Sequence, residues 1–360
     1  MTTEEIKAPL DLDPRLVFLS HDPLNAELPL TEQHGVITPN HLFYLRNRFS
    51  QPDIDLERWM LTVTGAVTQE VTLRYVDLLR MPERTLTVTL ECAGNGRSSF
   101  HPPADGEPWQ FGAVSTAEWT GVPLHAVLER AGLIPETVEI VAYGQDGGAV
   151  SGVEGRIPFA RSLPLDKALH PDTLLVYAMN GEPLPRTHGF PLRLIVPGWY
   201  GMASVKWLVR LEAATQPFRG FFQYDRYILP PLEGEPEPRP LRNTLVRSVI
   251  LAPATSSTIL AGPCRIRGLA WSGVAPVTKI ECSTNGGQSW HAATWTSREE
   301  PYAWRGWEYH WQAEPGEHTL CARAEDAAGN VQPTEAEWNL LGYANNALHT
   351  VPVSVIADGR

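Results

Sequence analysis

Alternating hydrophobic and polar positions mark several strands in the first two thirds of the chain. The segments "WMLTVTGAV" (59–67) and "RTLTVTL" (84–90) alternate with a period of two, which predicts half-buried β-strands. "LLVYAMNGEPLP" (174–185) predicts a strand that runs into an Asn-Gly turn. "PLRLIVPG" (191–198) is almost continuously apolar, and this pattern predicts a strand buried on both faces.

Helical spacing of apolar residues appears in two short segments. These are "TLRYVDLLRM" (72–81) and "GVPLHAVLERAGL" (121–133), and the second helix is expected to end at Gly132. Strands and short helices therefore mix without the regular alternation that a doubly wound sheet requires. The predicted fold class of this part is α+β, a mixed α/β domain.

A proline-rich acidic stretch, "PPLEGEPEPRPLRN" (230–243), interrupts this pattern. Such sequence is stiff, solvated and packs poorly, so it predicts a boundary between a first domain, 1–235, and a second, 236–360. The second part is nearly all β, with a predicted hairpin in "TKIECSTNGGQSWHAATW" (278–295) and an alternating strand in "HTLCARAEDAAGNVQP" (318–333). About seven such strands predict an immunoglobulin-like sandwich.

The composition excludes some classes of partner. The chain has 360 residues, 43% of them hydrophobic, and a formal net charge of −12, which argues against a general nucleic-acid binder or a protein that binds anionic membranes. No apolar run is long enough to span a bilayer. The N-terminal segment shows neither a secretory pattern nor a twin arginine, so we expect a cytoplasmic protein, or a periplasmic one if a leader has been removed.

The four cysteines lie far apart and form no C-x-x-C pair. This spacing predicts neither a zinc site nor a disulfide framework, and it contains no C-x-x-C-H motif for haem attachment. Cys264, Cys282 and Cys321 fall within the β-rich second part and are interpreted as small core residues.

The remaining cysteine, Cys92, lies where a strand meets a turn in "LTVTLECAGNGR" (86–97). It continues the leucine face of the strand and precedes Ala-Gly-Asn-Gly. A buried core thiol is the commoner role for a free cysteine. A turn of small residues, however, lets a ligand approach closely and directs N–H groups at an anion, and Arg97 adds a cation that can hold an anion or lower the pKa of the thiol.

This stretch resembles the cysteine motif of the sulfite oxidase family, the molybdopterin enzymes that include eukaryotic sulfite oxidase and assimilatory nitrate reductase. The likeness continues in family order across both predicted domains. The further segments that carry it are "ITPNHLFYLRN" (37–47), "WQFGAVSTAEWTGVPLHAVLERAG" (109–132), "YAMNGEPLPRTHGFPLRLIVPG" (177–198), "SVKWL" (204–208) and "GNVQPTEAEWNLLGYANNA" (329–347).

The resemblance implies a molybdenum–molybdopterin cofactor. In the family, the cysteine that corresponds to Cys92 is a thiolate ligand of molybdenum, and a soft sulfur donor suits a metal that changes oxidation state. Arg48 stands where the family usually has histidine, which would bring a cation to the pterin phosphate. The residues implied to bind the cofactor are Phe43, Tyr44, Arg46, Asn47, Arg48, Cys92, Asp146, His188, Arg193, Ser204, Val205 and Lys206.

The resemblance also implies a pocket for a small oxyanion, which the family holds with three arginines, a tryptophan and a tyrosine. Tyr224 competes with Tyr227 for the position of the tyrosine. The family motif "WNLRG" reads "WNLLG" here, so Leu341 replaces the third arginine, and Arg305 is a candidate to compensate. The residues implied to act on substrate are Arg46, Arg97, Trp109 and Tyr227.

The function implied by the resemblance is oxidation of sulfite to sulfate by oxygen-atom transfer at molybdenum. Electrons would pass to an external acceptor, with a c-type cytochrome as one candidate, because we recognise no haem or flavin domain. One alternative is a reductase of nitrate, a sulfoxide or another oxo-acceptor at the same centre. Another is a cofactor-binding or carrier protein without turnover. The second domain resembles the family's dimerisation domain, which implies a homodimer.

Overall fold

A computed structural model describes residues 12–357, so part of the N-terminal segment on which the expectation about export rests lies outside the described residues. The first part of the chain mixes strands with short helices. Its elements are β1 (Val17–His21), β2 (Leu24–Glu27), β3 (Met60–Gly65), β4 (Val71–Arg74), α1 (Tyr75–Leu78), β5 (Arg84–Glu91), β6 (Val114–Pro123), α2 (Leu124–Ala131), β7 (Glu139–Ala149), β8 (Arg156–Pro164), α3 (Leu165–Ala168), β9 (Leu174–Met179), β10 (Glu182–Pro183), β11 (Arg193–Ile195), β12 (Leu208–Ala214), α4 (Phe221–Tyr224), β13 (Ile228–Leu229) and β14 (Arg239–Pro240).

The second part, from residue 247, contains only strands among its described elements. Within residues 12–357, no helix combines the length and the apolar character that crossing a membrane requires. The strands of the second part are β15 (Arg247–Ala252), β16 (Ser257–Leu260), β17 (Gly262–Trp271), β18 (Val277–Ser283), β19 (His291–Ala292), β20 (Thr294–Trp295), β21 (Arg305–Ala313), β22 (Gly316–Asp326) and β23 (His349–Ile356).

The first part contains two five-stranded sheets and two small two-stranded sheets, β1-β2 and β13-β14. In one five-stranded sheet, β10, β9, β6 and β5 follow in order and β11 also pairs with β9; in the other, the order is β4-β3-β12-β7-β8, with β12 parallel to β3. Helix α2 packs its buried apolar face into the hydrophobic core of the first part. It ends at Gly132, whose φ of 67° suits a glycine. The α+β prediction is therefore confirmed.

One predicted helix is mostly wrong. Residues 72–74 belong to β4, which pairs antiparallel with β3, and only the four residues of α1 are helical. Leu73 is buried on the strand, whereas Tyr75 and Leu78 are buried on the helix. Helical spacing therefore holds only from Tyr75 onward, and pairing with an existing sheet decides the conformation of the residues before it.

The second part is a β-sandwich, as expected from its strand pattern. A four-stranded sheet, β15-β17-β21-β20, faces a five-stranded sheet, β16-β23-β22-β18-β19. Its core includes the wholly buried Cys282. Cys321 is also buried, Cys264 is half-buried, and all of these thiols are free.

Strand β5 forms a wall between the two parts. The sandwich covers the threonine face at Thr89, whose backbone N–H donates to the carbonyl of Tyr302 (2.9 Å) and whose hydroxyl accepts from the N–H of Trp304 (2.7 Å), whereas Thr85 on the same face is exposed. Its opposite face carries Leu90 and ends at Cys92, and both line a cavity in the first part. The alternating pattern in the sequence thus distinguishes the strand face that contacts the sandwich from the face that lines the cavity.

Candidate cofactor and substrate site

Two adjoining cavities meet at Cys92. Both are also lined by Arg46, Arg48 and Tyr227. The first cavity lies among polar residues of the first part, and we call it the inner cavity. The second, the outer cavity, takes part of its wall from the loop that carries Leu341 and Tyr343.

Cys92 lies directly after the end of β5. Its backbone N–H donates to Ala113 (2.9 Å), and its carbonyl accepts from Asn95 (2.9 Å), so the turn begins at a fixed point. Burial raises the pKa of the Cys92 thiol, whereas the charges of Arg46 and Arg97 and an N–H from Gly94 lower it. Cations and a backbone donor therefore converge on the sulfur, an arrangement that suits a thiolate once a metal binds it.

A buried ion pair holds the base of this turn from the sandwich side. Arg247 Nη1 lies 2.7 Å from Glu91 Oε1, and their side chains are 1% and 3% exposed. Trp271 Nε1 donates to the other carboxylate oxygen (2.9 Å), and Asn95 Nδ2 donates to the first (3.0 Å). Gly96 has a φ of 82°, and a Cβ there would lie 2.6 Å from Arg247. The turn thus requires glycine at this position.

A second contact from the sandwich side reaches the same turn. The N–H of Ala344 donates to the carbonyl of Ala93 (2.8 Å), next to Cys92. Asn345 Nδ2 donates to the carbonyl of Gly96 (2.9 Å). Residues on both sides of the sequence boundary therefore fix the position of the thiol.

The segment 43–48 forms one wall of the inner cavity. Asn47 Nδ2 donates to the carbonyl of Leu24 (2.6 Å), and its Oδ1 accepts from Lys206 Nζ. Arg46 Nη1 donates to Asn25 Oδ1 (3.3 Å). Other members of the wall that line the cavity stack on or lie over aromatic rings. They are Phe43, Tyr44 and Arg48.

The facing wall places cations beside an acid. Burial raises the pKa of Asp146 to about 7, and the charge of Lys206 opposes this rise. Burial and the neighbouring cations lower the pKa of His188 to about 3, so its ring is neutral. Arg193 donates to the carbonyls of His188 (3.0 Å) and Ser204 (3.1 Å). Burial and the charge of Arg193 lower the pKa of Lys206, against the charge of Asp146. The wall therefore presents two basic side chains, a neutral imidazole and an acid.

The inner cavity fits a molybdopterin on its own chemistry. Asp146 Oδ1 and Arg193 Nε, on two of its lining residues, are buried without a protein partner among residues 12–357. A pterin offers ring donors and acceptors, and its phosphate suits arginine and lysine. The unpartnered acceptor and donor, together with Arg48 and Lys206, match these needs.

The outer cavity is fitted for an oxyanion. Arg97 is held by two bonds, from Nε to the carbonyl of Leu341 (3.0 Å) and from Nη1 to the carbonyl of Glu107 (2.8 Å). Trp109 is wholly buried, and its indole N–H has no protein partner in the described part of the chain. Four arginines and two acidic residues line this space, and the excess of positive charge suits a small anion.

The chain matches two family descriptions. "Oxidoreductase molybdopterin binding domain" covers residues 48–222, and "Mo-co oxidoreductase dimerisation domain" covers residues 240–356. It is 34% identical to "Sulfite oxidase" of Gallus gallus over 361 residues, which covers 93% of this chain and 77% of that protein. This chain belongs to the sulfite oxidase family. The resemblance inferred from its motifs is therefore confirmed.

A further relative and a solved structure support the same assignment. "Sulfite oxidase, mitochondrial" of Rattus norvegicus is 36% identical over 95% of this chain, and the chain spans 66% of that protein's length. The "Sulfane Dehydrogenase SoxCD from Paracoccus pantotrophus" superposes with a TM-score of 0.81 at 28% identity, covering 98% of this chain and 89% of that chain. The structural similarity therefore covers both parts of the chain.

The structure brings most of the family-implied residues together around Cys92. Val205 is the exception, because it lines neither cavity and its carbonyl accepts from the N–H of Leu194 (2.8 Å). Tyr227 lines both cavities, whereas Tyr224 is half-buried under Arg219 and lines neither. The geometry thus favours Tyr227 as the pocket tyrosine.

Leu341 lines the outer cavity where the sulfite oxidase family has arginine. Arg305 does not compensate, because it lies over the ring of Trp295 and bonds to Ser297 and Glu299 in the sandwich. The residues lining this cavity that sequence reasoning missed include Arg226 and Tyr343. The sequence indicates these two residues only by their positions: Arg226 directly precedes Tyr227, and Tyr343 directly follows the altered motif.

Proposed function

We propose that this protein oxidises sulfite to sulfate at a molybdenum–molybdopterin cofactor. The observation that carries the proposal is the meeting of two cavities at Cys92, one suited to a pterin phosphate and the other to an oxyanion. Family membership supports it, since the relatives named above include sulfite oxidases.

Cys92 would bind the metal, and the cofactor would supply a redox centre that accepts two electrons. Lys206 and Arg48 would hold the phosphate, and Asp146 and Arg193 would bond the pterin ring through the atoms that lack a protein partner. His188, being neutral, would add a hydrogen-bonding group without adding charge. The inner wall thus fixes the cofactor relative to the thiol.

Arg46 and Arg97 would hold the substrate anion in the outer cavity, and Tyr227 and the Trp109 N–H would complete its orientation. The guanidinium of Arg97 is already fixed by two backbone carbonyls, so little conformational entropy is lost when an anion binds. The overall reaction takes one oxygen atom from water and releases two protons and two electrons. An external acceptor, for which a c-type cytochrome is our candidate, would take the electrons.

Metal analysis followed by a substrate panel tests this function. We expect stoichiometric molybdenum in the purified protein and ferricyanide-linked oxidation of sulfite. Turnover of nitrate or a sulfoxide with a reduced donor, but not of sulfite, would indicate the reverse reaction at the same centre. Bound molybdenum without turnover of any of the three compounds would indicate a carrier.

We also propose that the protein forms a homodimer through its second part, which matches the family's dimerisation domain. Light scattering at micromolar concentration is expected to give twice the chain mass of 39.9 kDa. A monomer across that concentration range would contradict the proposal. The measurement is independent of turnover, so the assembly and the reaction are tested separately.

A further inference from the structure

Tyr343 lines the outer cavity two residues after Leu341. The family resemblance assigns it no role, since the motif that it follows ends at Gly342. Its backbone is fixed on both sides by Asn339, whose Oδ1 accepts from the N–H of Tyr343 (3.0 Å) and whose Nδ2 donates to its carbonyl (2.9 Å). The next N–H, of Ala344, bonds to the turn that carries Cys92. The side chain is therefore placed relative to the thiol.

The ring of Tyr343 contacts two groups of the proposed substrate site. It stacks on Tyr227 with centroids 5.3 Å apart and an interplanar angle of 24°. The guanidinium carbon of Arg97 lies 5.2 Å from the ring centroid. An aromatic ring held by a stacked neighbour and a cation has little rotational freedom. The phenol is thus a fixed group in the cavity wall.

The hydroxyl of Tyr343 is available as a donor. Both hydrogen bonds that the residue makes among the described residues use its backbone. Its oxygen makes no hydrogen bond within residues 12–357 and is not fully buried, and the residue lines the outer cavity. Burial and Tyr227 raise the pKa of Tyr343 to about 12, against the charges of Arg97 and Arg46, so the phenol carries its proton at neutral pH.

We propose that the Tyr343 hydroxyl donates a hydrogen bond to the bound oxyanion, supplying at this wall a donor that Leu341 does not. The proposal rests on the proposed function, because it requires the outer cavity to hold the substrate. A neutral donor beside Arg46 and Arg97 adds an oriented bond without a third charge. Tyr343 is therefore a substrate-binding residue in this cavity.

Tyr343→Phe keeps the ring and removes the donor. In the full-length, molybdenum-loaded protein we expect the KM for sulfite to rise about tenfold to hundredfold, the effect of one hydrogen bond to a charged group, with kcat little changed. Tyr177→Phe is the matched control, because it removes a phenol that donates to Glu83 (2.6 Å) outside both cavities. An unchanged KM in Tyr343→Phe with normal molybdenum content would overturn the proposal.

A binding measurement separates this proposal from the proposed function. Sulfate is titrated into Tyr227→Phe protein while tyrosine ultraviolet difference absorption is followed. We expect a saturable change in this variant and none in the double variant that carries both Tyr227→Phe and Tyr343→Phe. No change with sulfate would overturn the role of Tyr343, even if sulfite is oxidised. A saturable change in a protein that oxidises no sulfite would uphold the role of Tyr343 and refute the proposed function.

Discussion

Replacing Cys92 by serine is expected to abolish ferricyanide-linked sulfite oxidation. Serine keeps the size of the side chain but replaces a soft sulfur ligand by a hard hydroxyl that stays protonated at neutral pH. Residues that merely support a metal ligand cost about 10–100-fold when removed, so loss of the ligand itself should exceed that range. The measurement is turnover per bound molybdenum, together with the absorption of the oxidised centre.

Cys321→Ser is the matched control, since it makes the same change at a buried free thiol in the sandwich. It is expected to leave turnover per molybdenum unchanged, and thermal unfolding of both variants will separate folding from chemistry. Full turnover in folded, molybdenum-loaded Cys92→Ser protein would show that the sulfur is no ligand. The two cavities would then need another explanation.

Arg247→Met is expected to lower the free energy of unfolding by about 3–5 kcal/mol, because it leaves Glu91 as an uncompensated charge in the interior. Both side chains are almost wholly buried, and the carboxylate also accepts from Trp271 and Asn95. Since Glu91 precedes Cys92, the thiol should also react faster with an alkylating reagent in cofactor-free protein. Urea unfolding and alkylation kinetics measure the two effects.

Arg323→Met provides the comparison, because its ion pair with Glu281 is 33% and 17% exposed and lies within the sandwich. Partly exposed pairs contribute about 0–1 kcal/mol. Arg247→Met combined with Glu91→Gln should destabilise less than Arg247→Met alone, since no buried charge then remains. If Arg247→Met unfolds like the unaltered protein, the ion pair does not hold the base of the turn.

The sequence was most informative where local pattern and chemistry coincide. The alternation before Cys92 placed the thiol at a strand end, and the small residues after it predicted the turn that the structure shows. The helix ending at Gly132 followed from spacing and a residue that tolerates a positive φ. These features depend on residues that are close together in the chain, which is why the sequence predicts them.

Contacts between segments that are distant in the chain could not be predicted from the sequence. Nothing in the local pattern marks Glu91 as half of a buried ion pair, because its partner Arg247 lies 156 residues away. Arg305 could have stood in for the missing arginine, and only the fold shows that its side chain stays in the sandwich. The strand β4 was mistaken for helix because its pairing with β3 is not visible in the apolar spacing. The roles of the site residues remain predictions until the variants are measured.

The contact between β5 and the sandwich determines which fragments of this protein would keep a complete site. A fragment that ended in the stretch 230–243 would keep every residue around the inner cavity, but it would expose the face that Trp304 covers and lose the partner of Glu91. It would also lack Leu341 and Tyr343, and with them part of the outer wall. The sandwich is therefore no exchangeable module, because recombination at the linker would pass on the inner cavity without the complete wall of the outer one.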